Sequence, residues 1–87
     1  MSETRLLKFP ADYPIKVVGR AAAGLREEID AIVARHAPDF DLRSTVERLS
    51  ENGRFVSLTY RIRAESAAQV EALGAELVRS RSVLLVF

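Results

Sequence analysis

Few side chains in this 87-residue chain could do chemistry, and they are scattered. The one histidine, His36, stands in Arg35-His36-Ala37-Pro38, with Asp39 and Asp41 just beyond. An imidazole works as a general acid or base when a carboxylate orients it beside a substrate cleft. His36 instead extends an apolar helical stripe that ends at a proline, so the expected role is a half-buried helix end. With no cysteine there is no thiolate nucleophile, disulfide frame or thiolate metal site. A lone histidine cannot build a histidine-rich zinc site. No Ser-His-Asp order, phosphate-binding glycine loop or dinucleotide fingerprint occurs. The expectation is no enzyme, no metal and no cofactor.

A second candidate is the Gly19-Arg20 pair, followed by Gly24. Backbone N–H groups at the start of a helix, with an arginine beside them, can hold an anion. One glycine and one arginine are too little for acylphosphatase-like catalysis. Arg20 therefore reads as a rim residue, with ligand binding by Gly19, Arg20 and Gly24 as the alternative.

The elements that must position these groups follow from periodicity. Residues 1–12 read as an N-terminal arm kept out of a helix by Pro10, and sticky through Leu6, Leu7 and Phe9. Residues 13–87 read as a single domain. Residues 15–19 alternate as a strand, with Gly19 at its end or at a close helix approach. Residues 22–37 read as a helix with Leu25, Ile29, Ile32 and His36 on one stripe, stopped by Pro38. Residues 42–50 and 55–63 flank Asn52-Gly53, the signal of a type I′ hairpin turn. Ser66 and Gln69 match a capping box, opening a helix to about residue 80 whose stripe is Val70, Leu73, Leu77 and Val78. Residues 82–87 close the chain as an apolar strand expected to be covered on both faces.

The order β-α-β-β-α-β predicts an α+β, ferredoxin-like sandwich: a four-stranded antiparallel sheet with both helices on one face. The first and third strands should be central and the second and fourth should be edges. Alternation then places Lys16, Val18, Phe55 and Arg61 on the open face, with Leu84 and Val86 expected beside them. These six residues are the candidate interaction surface. Either the arm covers their apolar members, or a second copy or another protein does.

Charge sharpens this expectation. Thirteen Lys and Arg against twelve Asp and Glu give +1, too little for a strongly basic nucleic-acid arm. Only Phe55 is an outward aromatic on the central strands, which also argues against an RNA-binding sheet. Yet the strand segments sum to +7 and the helical segments to −6. The expectation is an acidic helix surface and a basic sheet surface, with Lys16, Arg54 and Arg61 contributing. No apolar run is long enough for a signal peptide or a span of ~18 residues, so a cytoplasmic protein with no membrane partner is expected.

Leu7-Lys8-Phe9-Pro10, Lys16-Val17-Val18-Gly19 and Val33-Ala34-Arg35-His36-Ala37-Pro38 together resemble the YbeD family of small bacterial proteins. The likeness runs along nearly the whole chain, through the Gly53 hairpin and the short terminal strand. Arg35, His36 and Pro38 match the family motif. The resemblance implies a fold similar to the regulatory ACT domain, no known catalytic residues, and a link to lipoate metabolism. It also implies a ligand site near residues 19–24. The leading expectation is a non-catalytic regulatory or adaptor domain that acts by contact with an unidentified protein and self-associates as a homodimer. A small-ligand sensor is the alternative, and an RNA-binding domain is the weakest reading.

Overall fold

The computed structural model describes residues 8–87. The order is β1 (Ala11–Arg20), α1 (Leu25–His36), β2 (Val46–Leu49), β3 (Phe55–Ala64), α2 (Ala67–Arg79) and β4 (Val83–Val86). The strands form one antiparallel sheet, β2-β3-β1-β4, as the ferredoxin-like pattern predicts.

The two central strands carry the fold. β1 and β3 pair from Ala11 opposite Ala64 to Arg20 opposite Phe55. Alternation sends Ile15, Val17, Val56, Leu58, Tyr60 and Ile62 to one face. There they meet Leu25, Ile29, Ile32 and Val33 of α1, and Leu73 and Leu77 of α2, in one core. Each large aliphatic side chain taken fully from water contributes about 1.5–3 kcal/mol.

Several boundaries differ from the sequence expectation. β1 begins at Ala11, so Ala11 and Asp12 belong to the sheet rather than to the arm. Pro14 sits inside the strand, where β4 does not run alongside it, so its missing N–H breaks no β1–β4 bond. Phe9 is half-buried against the core rather than laid over the open face. The covering role considered for Leu6 and Leu7 lies outside the described residues.

Helix α1 starts at Leu25, not at residue 22. The Ala21 N–H extends the sheet by donating to Arg54 O (2.8 Å), and Gly24, with φ 86°, turns the chain into the helix. Only glycine takes that left-handed conformation without strain. The segment expected as the first half of the second strand is instead a 3-10 turn, Leu42–Ser44. It is capped by Asp41, whose carboxylate accepts from Arg43 N (3.0 Å). The hairpin is not type I′, because Asn52 is not left-handed. Gly53 N donates to Ser50 O (2.9 Å), Gly53 takes φ 73°, and the side-chain Oδ1 of Asn52 accepts from Arg54 N (3.0 Å). An Asn side chain that bonds the backbone two residues on favours this four-residue loop.

In α2 the Ser66 hydroxyl accepts from Gln69 N (3.1 Å), as a cap should. Val78, expected in the buried stripe, is exposed. β4 is covered on one face only, because the helices pack on one side of the sheet: Val83 and Val86 meet the core while Leu84 and Leu85 are exposed.

Candidate functional site

The family-motif residues form a clasp between the helices. Arg35 donates to Glu76 Oε2 of α2, and His36 Nε2 donates to Glu76 Oε1 (2.7 Å). Gln69 Nε2 donates to His36 O (2.7 Å), capping a carbonyl at the end of α1. The Gln69 Oε1 in turn accepts from Glu65 N (2.6 Å). The histidine's carboxylate is therefore Glu76, forty residues on, and not Asp39 or Asp41. Asp41 is spent on Arg43. Pro38 follows the helix end, where Ala37 N closes on Val33 O (2.8 Å). The bonds of Glu76 to Arg35 and His36, and of Gln69 to His36 O, hold α1 against α2.

A second cluster, missed in the sequence, joins α1 to the sheet. Arg26 Nε donates to both oxygens of Asp30 (2.9 Å each), its Nη1 to Glu47 of β2 (3.0 Å), and its Nη2 to Leu42 O (2.9 Å). The buried Tyr60 hydroxyl donates to Asp30 Oδ1 (2.7 Å). Burial and the Asp30 carboxylate raise the Tyr60 phenol well above its ordinary value, so it remains a donor. Asp30 sits four residues after Arg26, the one spacing signal that could have found part of this network.

The glycine-arginine candidates lie around a hollow of about 340 Å³ between β1 and α1. Its lining includes Arg20, Gly24, Leu25, Glu28, Arg81 and Ser82. Gly19 is buried and takes no part in the lining. A Cβ there would meet Ser82 O at 2.6 Å and Leu25 Cδ1 at 3.1 Å, so Gly19 lets β4 and α1 close over it. Glu28 accepts from the hydroxyls of Ser80 and of Ser82 (2.9 Å). Those bonds hold its carboxyl below the ordinary glutamate range. The fold thus brings Glu28, Arg81 and Ser82 to a stretch that carries few polar groups in sequence.

The open sheet face collects the remaining candidates. Lys16, Val18 and Arg20 of β1 stand opposite Thr59, Ser57 and Phe55 of β3. Beyond them Arg61 faces Pro14, and Arg48 of β2 faces Ser57. Among the described residues, Lys16, Arg20, Arg48, Arg61 and Arg63 share this face with one acid, Asp12, which pairs with Arg63 (3.3 Å). The basic sheet surface is as the charge count predicts. The helix layer is less uniform, because Arg26 and Arg35 sit among its acids.

The β4 placement corrects the sequence reading. Val86 is opposite Val17 and packs on the helix side, against the core. A β-bulge between Val18 and Gly19 shifts the register, so Leu84 falls in the irregular stretch and Leu85 comes opposite Val18. Leu84 is 44% exposed, Leu85 54% and Phe87 64%. The Lys16 Nζ lies 6.0 Å from the centre of the Phe87 ring, within cation–π reach. Leu85 and Phe87 therefore join the open face in place of Val86. A one-residue register shift moves a side chain to the other face, and the bulge has no signature in an all-apolar run.

Comparison with known proteins agrees with this architecture. Residues 4–87 match a family described as protein of unknown function DUF493. A UPF0250 protein of Nitrosomonas europaea is 40% identical over 73 residues, covering 84% of each chain. One from Hahella chejuensis is 37% identical and covers 97% of this chain and 92% of its own. The ACT domain of the GTP pyrophosphokinase of Chlorobium tepidum superposes with a TM-score of 0.66 at 19% identity, covering 85% of this chain and 80% of that one. The C-terminal domain of the Mycobacterium tuberculosis MgtC protein gives 0.63 at 18% identity, covering 93% and 88%. At such identities the likeness speaks for the fold alone.

Proposed function

The chain belongs to the DUF493 family of UPF0250, or YbeD-like, proteins, and from that premise we propose a non-catalytic regulatory domain that acts by protein contact. In this reading it also associates with itself along β4. The observation that carries it is the difference between the two edge strands. β2 protects its edge with Glu47 and Arg48. β4 reads Val83-Leu84-Leu85-Val86, with Phe87 following, and carries no charge at all. An uncharged edge with exposed apolar side chains is a template for strand pairing. Pairing with a second copy in antiparallel fashion would bury Leu84 and Leu85 and extend the sheet. Lipoate metabolism, which the family resemblance implies, enters as the process such a regulator would serve.

Sedimentation of the full chain over a wide concentration range tests this reading. A dimer that Leu85→Lys abolishes, with the circular dichroism unchanged, supports it. A strict monomer at the highest concentration sinks the self-association.

A second reading is a ligand sensor at the β1–α1 hollow, favoured by Arg20, Arg81 and Glu28 among its lining residues. Two cations and one carboxylate suit a zwitterion such as an amino acid. Shift changes confined to residues 19–28 and 80–82 on adding amino acids would select it over the contact domain.

A further inference from the structure

We propose that the open sheet face carries a second ligand site, a shallow basic hollow that binds a small molecule bearing a terminal phosphate or diphosphate. The hollow measures about 320 Å³ and is lined by Lys16, Val46, Arg48, Ser57, Thr59 and Arg61. It shares no lining residue with the β1–α1 hollow, and it meets the β4 side only at Lys16, next to Phe87.

Three observations converge on it. The first is the register. Lys16 and Val46 flank Thr59 from the two neighbouring strands, Arg48 flanks Ser57, and Arg61 is two positions along β3 from Thr59. Directly opposed side chains on a sheet are ~5 Å apart at Cβ and diagonal ones ~7–8 Å, so three cations share one patch. Like charges gathered this way oppose folding unless an anion or solvent offsets them.

The second is the lack of internal partners. Among the described residues, the ion pairs engage Arg26, Arg35, His36, Arg43 and Arg63, and none engages Lys16, Arg48 or Arg61. The hydroxyls of Ser44, Ser50, Ser80 and Ser82 all donate to protein oxygens. Those of Ser57 and Thr59, half-buried in the floor of the hollow, have no such bond among the described residues. Two guanidinium groups, one ammonium that stands 6.0 Å from the Phe87 ring centre, and two hydroxyls thus line the hollow with no protein acceptor among the described residues.

The third is the match of charge and shape. A phosphate monoester carries about −1.5 to −2 near neutral pH and offers three acceptor oxygens. A diphosphate carries more. The planar arginine fork bonds two oxygens at once, and hydroxyl donors take the remainder. A single carboxylate would leave most of the positive charge uncompensated. Single-stranded nucleic acid wants a row of aromatics for its bases. On this face Phe55 is opposite Arg20, away from the hollow, and Phe87 stands beside Lys16 at its margin, so the aromatics form no row across it.

Calorimetric and 15N–1H shift titrations of the full chain with pyrophosphate test the site. Succinate and a single-stranded oligonucleotide serve as comparison ligands. The expected result is saturable one-to-one pyrophosphate binding, with shifts centred on Lys16, Arg48, Ser57, Thr59 and Arg61. Arg48→Gln and Arg61→Gln should each weaken it about tenfold or more, the scale of one charge-assisted hydrogen bond. Arg79→Gln, outside the hollow, should leave it unchanged. Circular dichroism checks that each variant is folded. Non-saturating shifts spread over Arg54, Arg79 and Arg81 as well would overturn the proposal. So would tighter binding of the oligonucleotide, or equal binding of succinate. Loss of dimerisation in Leu85→Lys with pyrophosphate binding retained would separate this site from the contact reading.

Discussion

The two faces of the sheet treat their cations in opposite ways. On the helix side Arg26 is gripped by Asp30, Glu47 and a backbone carbonyl, and Arg35 by Glu76. On the open side Arg63 meets Asp12 in an exposed pair, while Lys16, Arg48 and Arg61 make no ion pair among the described residues. A charge already committed to an internal partner holds the fold. A charge left in solvent costs little stability and stays available for a ligand. The difference assigns holding to one face and meeting to the other.

The strongest way to break this comparison is to truncate a buried side chain on each face. Leu77 of α2 is fully buried in the core. Leu77→Ala should cost about 2–5 kcal/mol in urea denaturation, the transfer loss plus the cavity. Val18→Ala, on the half-covered open face, should cost about 1 kcal/mol or less. Equal losses would contradict the assignment of faces.

Gly19→Ala comes next. Its Cβ would collide with the backbone oxygen of Ser82. Overpacking of this kind costs about 1–3 kcal/mol. Hydrogen exchange should report the change as faster opening of β4, with β2 and β3 protected as before.

The arginines sharpen the comparison directly. Arg26→Gln should lose about 1–3 kcal/mol, because several charge-assisted bonds go with it. Arg48→Gln should fall within about 0.5 kcal/mol of the parent, as surface substitutions do. It gains slightly if the three cations repel. Paired denaturation curves in low salt give both numbers.

The smallest expected effect is a pH dependence. Glu28, lowered by the Ser80 and Ser82 hydroxyls, contributes stability at neutral pH, above its ordinary value of 4.5. That contribution fades as pH falls through its depressed folded value and the carboxylate protonates. The protection of the Ser82 amide, relative to its intrinsic exchange rate, should fall over that acid range in the parent, and should lose the extra pH dependence in Glu28→Gln.

Much of the fold was legible in the chain because its strongest signals are local. Alternation in Val56, Leu58, Tyr60 and Ile62 and the helical stripe of Leu25, Ile29 and Ile32 each report one element facing one core. What was illegible was created by contacts between elements. The partner of His36 is on α2, the partners of Arg26 are on α1 and β2, and Arg81 reaches the β1–α1 hollow from beyond α2. The Val18/Gly19 bulge was hidden for a different reason. Val83-Leu84-Leu85-Val86 is apolar at every position, so it carries no alternation from which a face could be read. The basic hollow was half legible. Lys16 and Arg61 were placed by alternation, whereas Arg48 needed the β2 register to join them.

The division of labour between the faces is tested most directly by one 15N–1H shift map of the full chain, recorded across a concentration series. The account predicts changes along β4 and the open face, at Val18, Leu84, Leu85 and Phe87, while α1 and α2 stay silent. Changes concentrated on the outer surfaces of α1 and α2, with β4 silent, would contradict it.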